Sequence, residues 1–200
     1  MELWIDEGRL GSLGLPPDYT LDFAIAIYVY TLEDPAVYRV VNAAMFAASR
    51  RVQGAAPGED LSPELIACAP YIKFLDTALS RLPESFIFQG RVQRGVKWVY
   101  PSPDQHDPEV YFRVGAVVHW YEFKSSSTKR EVMSRPHFCG HEPGPRTIFV
   151  IEAVHAYDIR AFSFYGDSEG EVAFRPLARQ RVRTVVTGIL DPHERNSLER

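Results

Sequence analysis

The sequence predicts an α+β domain in which N-terminal helices pack on a split, mostly antiparallel β core. Three observations carry this reading. Before Pro83 the apolar residues recur at helical spacing, whereas after it they alternate in short runs rich in Val, Ile, Phe and Tyr. Helices first and strands later disfavour the alternating order of a parallel sheet. Finally, 200 residues with 46% hydrophobic and 12% aromatic content suit one compact domain with ample core. A single domain is expected over residues 1–200, its helical part spanning about 16–82 and its β part about 83–192.

The elements follow in order. Pro16-Pro17-Asp18 punctuates the entry, and Thr20 suits the N-cap of a helix with Leu21, Phe23, Ala24, Ile27 and Tyr28 on its buried stripe. Asp34-Pro35 opens a second helix through Val37, Tyr38, Val40, Val41, Ala44 and Met45, which closes near Ser49-Arg50-Arg51. A loop from Gly54 to Asp60 precedes Ser62-Pro63-Glu64, a cap with Pro at the first helical position. The third helix runs through Leu65, Ile66, Ile72, Leu75 and Leu79, and Pro70 is expected to kink or divide it. Strands are expected at Ser85–Val92, Tyr111–Val118, Trp120–Ser126, Thr147–Ala153, Val172–Pro176 and Val182–Leu190.

Composition narrows the function. A net charge of -4, from 22 Lys+Arg against 26 Asp+Glu, does not recommend a nucleic-acid partner or an anionic membrane. The longest apolar run, Phe23 to Tyr30, is far short of the roughly 20 residues that span a bilayer. Cys68 and Cys139 do not make a disulfide framework and fit a reducing compartment. The first residues lack a secretory pattern, so a cytoplasmic chain is expected, with delivery to another cell left open. There is no Walker loop and no G-x-G-x-x-G, so a phosphate-bearing ligand has to be held by side chains.

Three clusters carry chemistry. In Gln93-Arg94-Gly95-Val96, Arg offers a planar fork matched to pyrophosphate and Gly admits close approach to the backbone, though an R-G pair is also a common surface turn. In Phe123-Lys124-Ser125-Ser126-Ser127-Thr128, a persisting strand puts Phe123, Ser125 and Ser127 on one face, an aromatic platform with two hydroxyls. In Glu169-Gly170-Glu171-Val172, an extended backbone points both carboxylates the same way, toward a cation or a reaction. The order of the three is far more specific than any one of them.

With these motifs in that order, the chain resembles the arginine-directed mono-ADP-ribosyltransferases of the R-S-E class, shared by vertebrate ecto-enzymes and bacterial toxins. The resemblance implies NAD as substrate, no metal, and an acceptor protein with an exposed arginine. It implies that Arg94 grips the NAD phosphates with Gly95 beside it, and that Ser125 fixes the nicotinamide side and the catalytic glutamate. Phe123 and Ser127 complete the NAD-binding set. Glu171 is then the catalytic carboxylate, Glu169 holds the acceptor guanidinium, and Phe164-Tyr165 meet the acceptor protein. The family's aromatic-Arg-Gly is split here between Phe88-Gln89-Gly90 and Gln93-Arg94-Gly95, with Arg91 as the alternative arginine. Two further readings stay open: an NAD glycohydrolase, and a silent member that binds NAD or a protein.

The chemistry suits these residue types. Nicotinamide is cationic in NAD and leaves neutral, so cleavage needs a carboxylate to stabilise the ribose rather than a general acid. The acceptor guanidinium is protonated in water, so Glu169 has to position it and share its charge. His137-Phe138-Cys139-Gly140-His141 has metal-type residues at alternate positions but no second pair, and is read as a loop. Asp104-Gln105-His106-Asp107 lacks calcium-loop spacing and is read as a solvated insert.

Overall fold

The computed structural model describes residues 7–51, 61–97, 112–136, 138–140, 144 and 146–184. The Gly54–Asp60 loop, the Asp104–Asp107 insert, Tyr111, His137, His141 and residues 185–190 of the last expected strand lie outside them. Among these residues four helices come first: α1 (Glu7–Gly11), α2 (Leu21–Thr31), α3 (Val37–Arg51) and α4 (Pro63–Ser80). Six strands follow: β1 (Ile87–Val96), β2 (Val117–Trp120), β3 (Lys124–Ser127), β4 (Thr147–Asp158), β5 (Glu171–Phe174) and β6 (Ala178–Arg181).

Helix α2 is apolar nearly all round because it is covered on most sides; Phe23, Ala24, Ala26, Ile27, Tyr28, Tyr30 and Thr31 are all buried. Thr20 stands at its N-cap, but its hydroxyl makes no capping bond. Ser62 does cap α4, accepting from the Leu65 N–H at 3.2 Å, with Pro63 at the first helical position. Contrary to expectation, α4 runs undivided through Pro70. Pro70 lies on the exposed face, so the carbonyl it leaves unpaired can meet water, while Leu75, Ala78 and Leu79 hold the helix on the core.

The sheets are antiparallel throughout, and one of them closes on itself in the order β1-β3-β5-β4. Strand β4 is long enough to pair with β1 along most of its length and with β5 through Tyr157 and Asp158. β2 and β6 form a separate two-stranded sheet, which completes the split architecture. Val92, Trp120, Ile151, Ala153, Ala156, Val172 and Phe174 fill the barrel side. A second core joins α2 and α4 to Phe123, Tyr157, Ile159, Phe162 and Ala173. Tyr71 donates to the Ala26 carbonyl at 2.9 Å, and Arg175 grips Asp76 at 2.6 and 2.8 Å, tying the helices to each other and to the end of β5.

Several strands depart from expectation. The runs placed at Tyr111–Val118 and Trp120–Ser126 become β2 and β3, separated at 121–123 where Phe123 turns into the helical core. Among the described residues the last strand is Ala178–Arg181, following Leu177 at a φ of 65°, and residues 182–184 at the start of the expected Val182–Leu190 run carry no strand. Its Ala-Arg-Gln-Arg sequence alternates half-buried with exposed, a pattern without apolar signal because only one partner strand covers it. Among the described residues no helix is long and apolar enough to cross a membrane.

Candidate active site

A cavity of about 430 Å³ opens between the α2–α3 corner and the ends of β1, β3 and β5. On β1, Arg94 has the same parity as Val92, whose side chain fills the barrel, so it projects past that core into the cavity wall. Its Nη1 donates to the Ser125 carbonyl at 2.7 Å, which bridges β1 to β3. Burial pulls the Arg94 pKa down, and Tyr30 and Glu122 act in the other direction. Arg91 has the opposite parity; it is exposed and paired with Glu152 at 2.6 Å on the outer face of β4.

Gly95 lines the cavity beside Arg94, yet its immediate constraint is packing. A Cβ there would sit 2.3 Å from the Cys139 sulfur. Cys139 is buried against that glycine, with burial pushing its thiol pKa up. Among the described residues no group of three His, Cys, Asp or Glu side chains could hold a metal.

The serine triplet divides its work. Ser125 lines the cavity. Ser127 does not face a ligand as expected: it is buried, donates to the Glu169 carbonyl at 2.5 Å and accepts from the Lys129 N–H at 2.9 Å. The register explains this, since Ser127 lies opposite Glu171 and therefore beneath the turn that carries Glu169. The Ser126 hydroxyl is buried with no hydrogen-bond partner among the described residues. Phe123, expected as a platform for the ligand, is fully buried in the helical core instead. Its ring stands edge-on to Tyr30 at 5.9 Å, so it supports a cavity-lining residue from behind.

Glu169 and Glu171 both line the cavity, by a route other than the expected extended backbone. Glu169 follows a 3₁₀ turn, Gly166–Ser168, with φ -103° and ψ -13°, and Gly170 at φ 56° swings the chain into β5. A Cβ at Gly170 would meet the Thr128 hydroxyl at 2.3 Å, so only glycine fits this close approach. The Gly170 carbonyl accepts from the Thr128 N–H at 2.9 Å, which locks the turn to the end of β3.

Glu171 is buried, and its pKa is pushed up to about 8, chiefly by burial, with the charges of Glu169 and Glu33 adding to it. One hydrogen bond opposes that shift: Ser163 Oγ donates to Glu171 Oε2 at 2.7 Å. The hydroxyl on the catalytic candidate is thus Ser163's, where the sequence reading assigned Ser125. Ser163 also accepts from the Tyr165 N–H at 3.2 Å, and the Phe164 N–H donates to Thr31 Oγ1 at 2.9 Å. Phe164 is 49% exposed, its ring edge-on at 5.2 Å to that of Tyr165, which lines the cavity.

The sequence reading missed two other groups. Arg135 donates to Glu169 Oε1 at 2.7 Å. On the helical wall Tyr38 donates to Glu33 at 2.9 Å, and Arg39 donates to Tyr38 at 2.9 Å and to Glu33 at 2.8 Å. A lone Ser among aromatics at Phe162-Ser163-Phe164 was a faint signal, whereas nothing local marks Arg135.

Comparison with known proteins bears on the family and the fold. A family described as NAD:arginine ADP-ribosyltransferase matches residues 4–185. A comparison with curated protein sequences finds no match. Among solved structures, the ADP-ribosyltransferase Vis from Vibrio splendidus, in complex with agmatine, is similar at 19% identity over 92% of this chain and 81% of that one, with a TM-score of 0.62. HopU1 of Pseudomonas syringae is similar at 22% identity over 87% and 74%, TM-score 0.64. The eukaryotic mono-ADP-ribosyltransferase ART2.2 is similar at 20% over 90% and 67%, TM-score 0.60. At these identities the solved structures speak to the fold.

Proposed function

This chain belongs to the NAD:arginine ADP-ribosyltransferase family, and on that premise we propose that it transfers ADP-ribose from NAD to an arginine side chain of an acceptor protein, releasing nicotinamide. The observation that carries the reading is the pair of buried carboxylates, Glu169 and Glu171, on one cavity wall with Arg94. The cavity size lies in the range of small-molecule sites.

In this reading Arg94 holds the NAD diphosphate through charge-assisted hydrogen bonds, with Ser125 alongside. Glu171 faces the nicotinamide ribose, where positive charge grows on C1′ as the glycosidic bond breaks and its electron pair leaves with neutral nicotinamide. Ser163 keeps that carboxylate aimed. The raised proton affinity of Glu171 belongs to the cavity without ligand, and a cationic nicotinamide beside it favours the ionised form. A guanidinium nitrogen then bonds to C1′ and gives up one proton, with Glu169 positioning the nucleophile. Phe164 and Tyr165 meet the acceptor protein.

Arginine as acceptor is supported by the chemistry of the first glutamate, since a planar cation is best fixed by a carboxylate. It is also supported by Vis, solved with agmatine, a small guanidinium compound. Vis is described as a toxin, which favours an acceptor in another cell. Arg94 on the cavity wall argues against the silent-member alternative. The test is labelled NAD with agmatine, following nicotinamide release and agmatine labelling together. Labelling that disappears in Glu171→Gln supports the reading, and labelling that persists there removes it.

A further inference from the structure

Arg135 stands just after the 3₁₀ turn Arg130–Ser134 that leaves β3, and it reaches across to the glutamate turn. Nη1 donates to Glu169 Oε1 at 2.7 Å and Nη2 to the Ser168 carbonyl at 3.2 Å. One guanidinium thereby fixes the Glu169 side chain relative to the backbone just before it. The base of the arginine is itself pinned. Its N–H donates to Val132 O at 3.0 Å, and its carbonyl accepts from the Phe138 and Gly140 N–H groups, each at 3.0 Å.

Among the described residues, those lining the cavity include Glu169 and omit Arg135. Glu169 is 4% exposed, and the Arg135 guanidinium is one of the groups that cover and orient it. A second buried carboxylate, Glu171, lies two residues away, and an unbalanced Glu169 would be repelled by it.

We propose that Arg135 is a positioning residue that aims Glu169 at the acceptor and so sets how NAD cleavage divides between a guanidinium and water. The proposal rests on the transferase reading above. In both branches the C1′–nicotinamide bond breaks with its electrons going to nicotinamide, and either a guanidinium nitrogen or a water oxygen bonds to C1′ and loses a proton. Only the guanidinium branch needs an oriented Glu169.

The experiment uses the full chain with labelled NAD, with and without agmatine, reading nicotinamide release and agmatine labelling. The variants are Arg135→Gln and Arg135→Lys, each alone and combined with Glu169→Gln. Arg135→Gln is expected to lower labelling about tenfold through a raised KM for agmatine, while release to water changes by less than about twofold. Arg135→Lys, which keeps the charge, recovers part of the labelling and serves alone if the Gln variant fails to fold. Neither variant lowers labelling further once Glu169 is Gln. Equal loss of both rates, a lower KM for agmatine in Arg135→Gln, or additive loss with Glu169→Gln would overturn the proposal. A wild-type chain that cleaves NAD but never labels agmatine removes the transferase reading and this proposal with it, and that result appears before any variant is compared.

Discussion

The two walls of the cavity are built differently. On the β wall, Glu169 and Glu171 are buried, the first held by Arg135 and the second by Ser163, and Gly170 admits no side chain. On the helical wall, Glu33, Tyr38 and Arg39 bond mainly to one another, and the Arg39 side chain is 60% exposed. A buried group that loses its partner cannot turn to water, whereas an exposed network exchanges its bonds for water. The contrast teaches that the β wall is the one suited to geometry-sensitive chemistry, and that the helical wall is the one built to change with little cost.

The sharpest way to break this contrast is at Glu171. Glu171→Gln is expected to lower nicotinamide release by about 10²–10³-fold or more, as for loss of a preorganised electrostatic group, measured by single-turnover kinetics. The same variant removes a pH effect on folding. Between about 4.5 and about 8 the folded state keeps a proton on Glu171 that the unfolded state has lost, so stability falls as pH rises through that window. Urea unfolding of Glu171→Gln should show roughly 2–4 kcal/mol less of that decline.

Ser163→Ala comes next, with an expected loss of about tenfold in kcat/KM near neutrality. If Glu171 is the catalytic carboxylate proposed above, it works ionised, and kcat/KM of the wild type is expected to rise with pH through a midpoint near 8. Removing the Ser163 bond, which pulls the Glu171 pKa down, moves that midpoint higher. A midpoint that stays in place would detach Ser163 from the carboxylate.

Gly170→Ala tests the rigidity of the β wall. It forces a Cβ into the Thr128 hydroxyl at a φ of 56°, at an expected cost of about 1–3 kcal/mol in urea unfolding. The smallest effect belongs to the helical wall: Arg39→Ala should change the KM for NAD by less than about fivefold and leave stability within about 1 kcal/mol. A loss at Arg39 as large as that at Ser163 would erase the distinction between the walls.

How much of this was legible in the sequence depends on how far apart the interacting residues lie. Ser62-Pro63 marked the start of α4 because a cap acts within three residues, and the helical stripe of α2 likewise reports local geometry. The order of Arg94, the serine triplet and the glutamate pair was readable because each motif is short and the fold brings their strands together. Phe123 was misjudged because strand parity was extended across residues 121–123, where no strand exists, and Ser127 because the pairing of β3 with β5, which puts it beneath the glutamate turn, joins residues far apart in sequence. The Arg135–Glu169 and Ser163–Glu171 contacts join loops, and nothing in the spacing of loop residues encodes which side chains will meet.

The central claim is that the two carboxylates of one wall divide the reaction, Glu171 serving bond cleavage and Glu169 the choice of acceptor. Nicotinamide release and agmatine labelling, measured together in wild type, Glu169→Gln and Glu171→Gln, test it most directly. The account predicts that Glu171→Gln loses both signals, while Glu169→Gln keeps nicotinamide release and loses most, though not all, of its labelling. Undiminished labelling in Glu169→Gln, or release retained in Glu171→Gln, would contradict it.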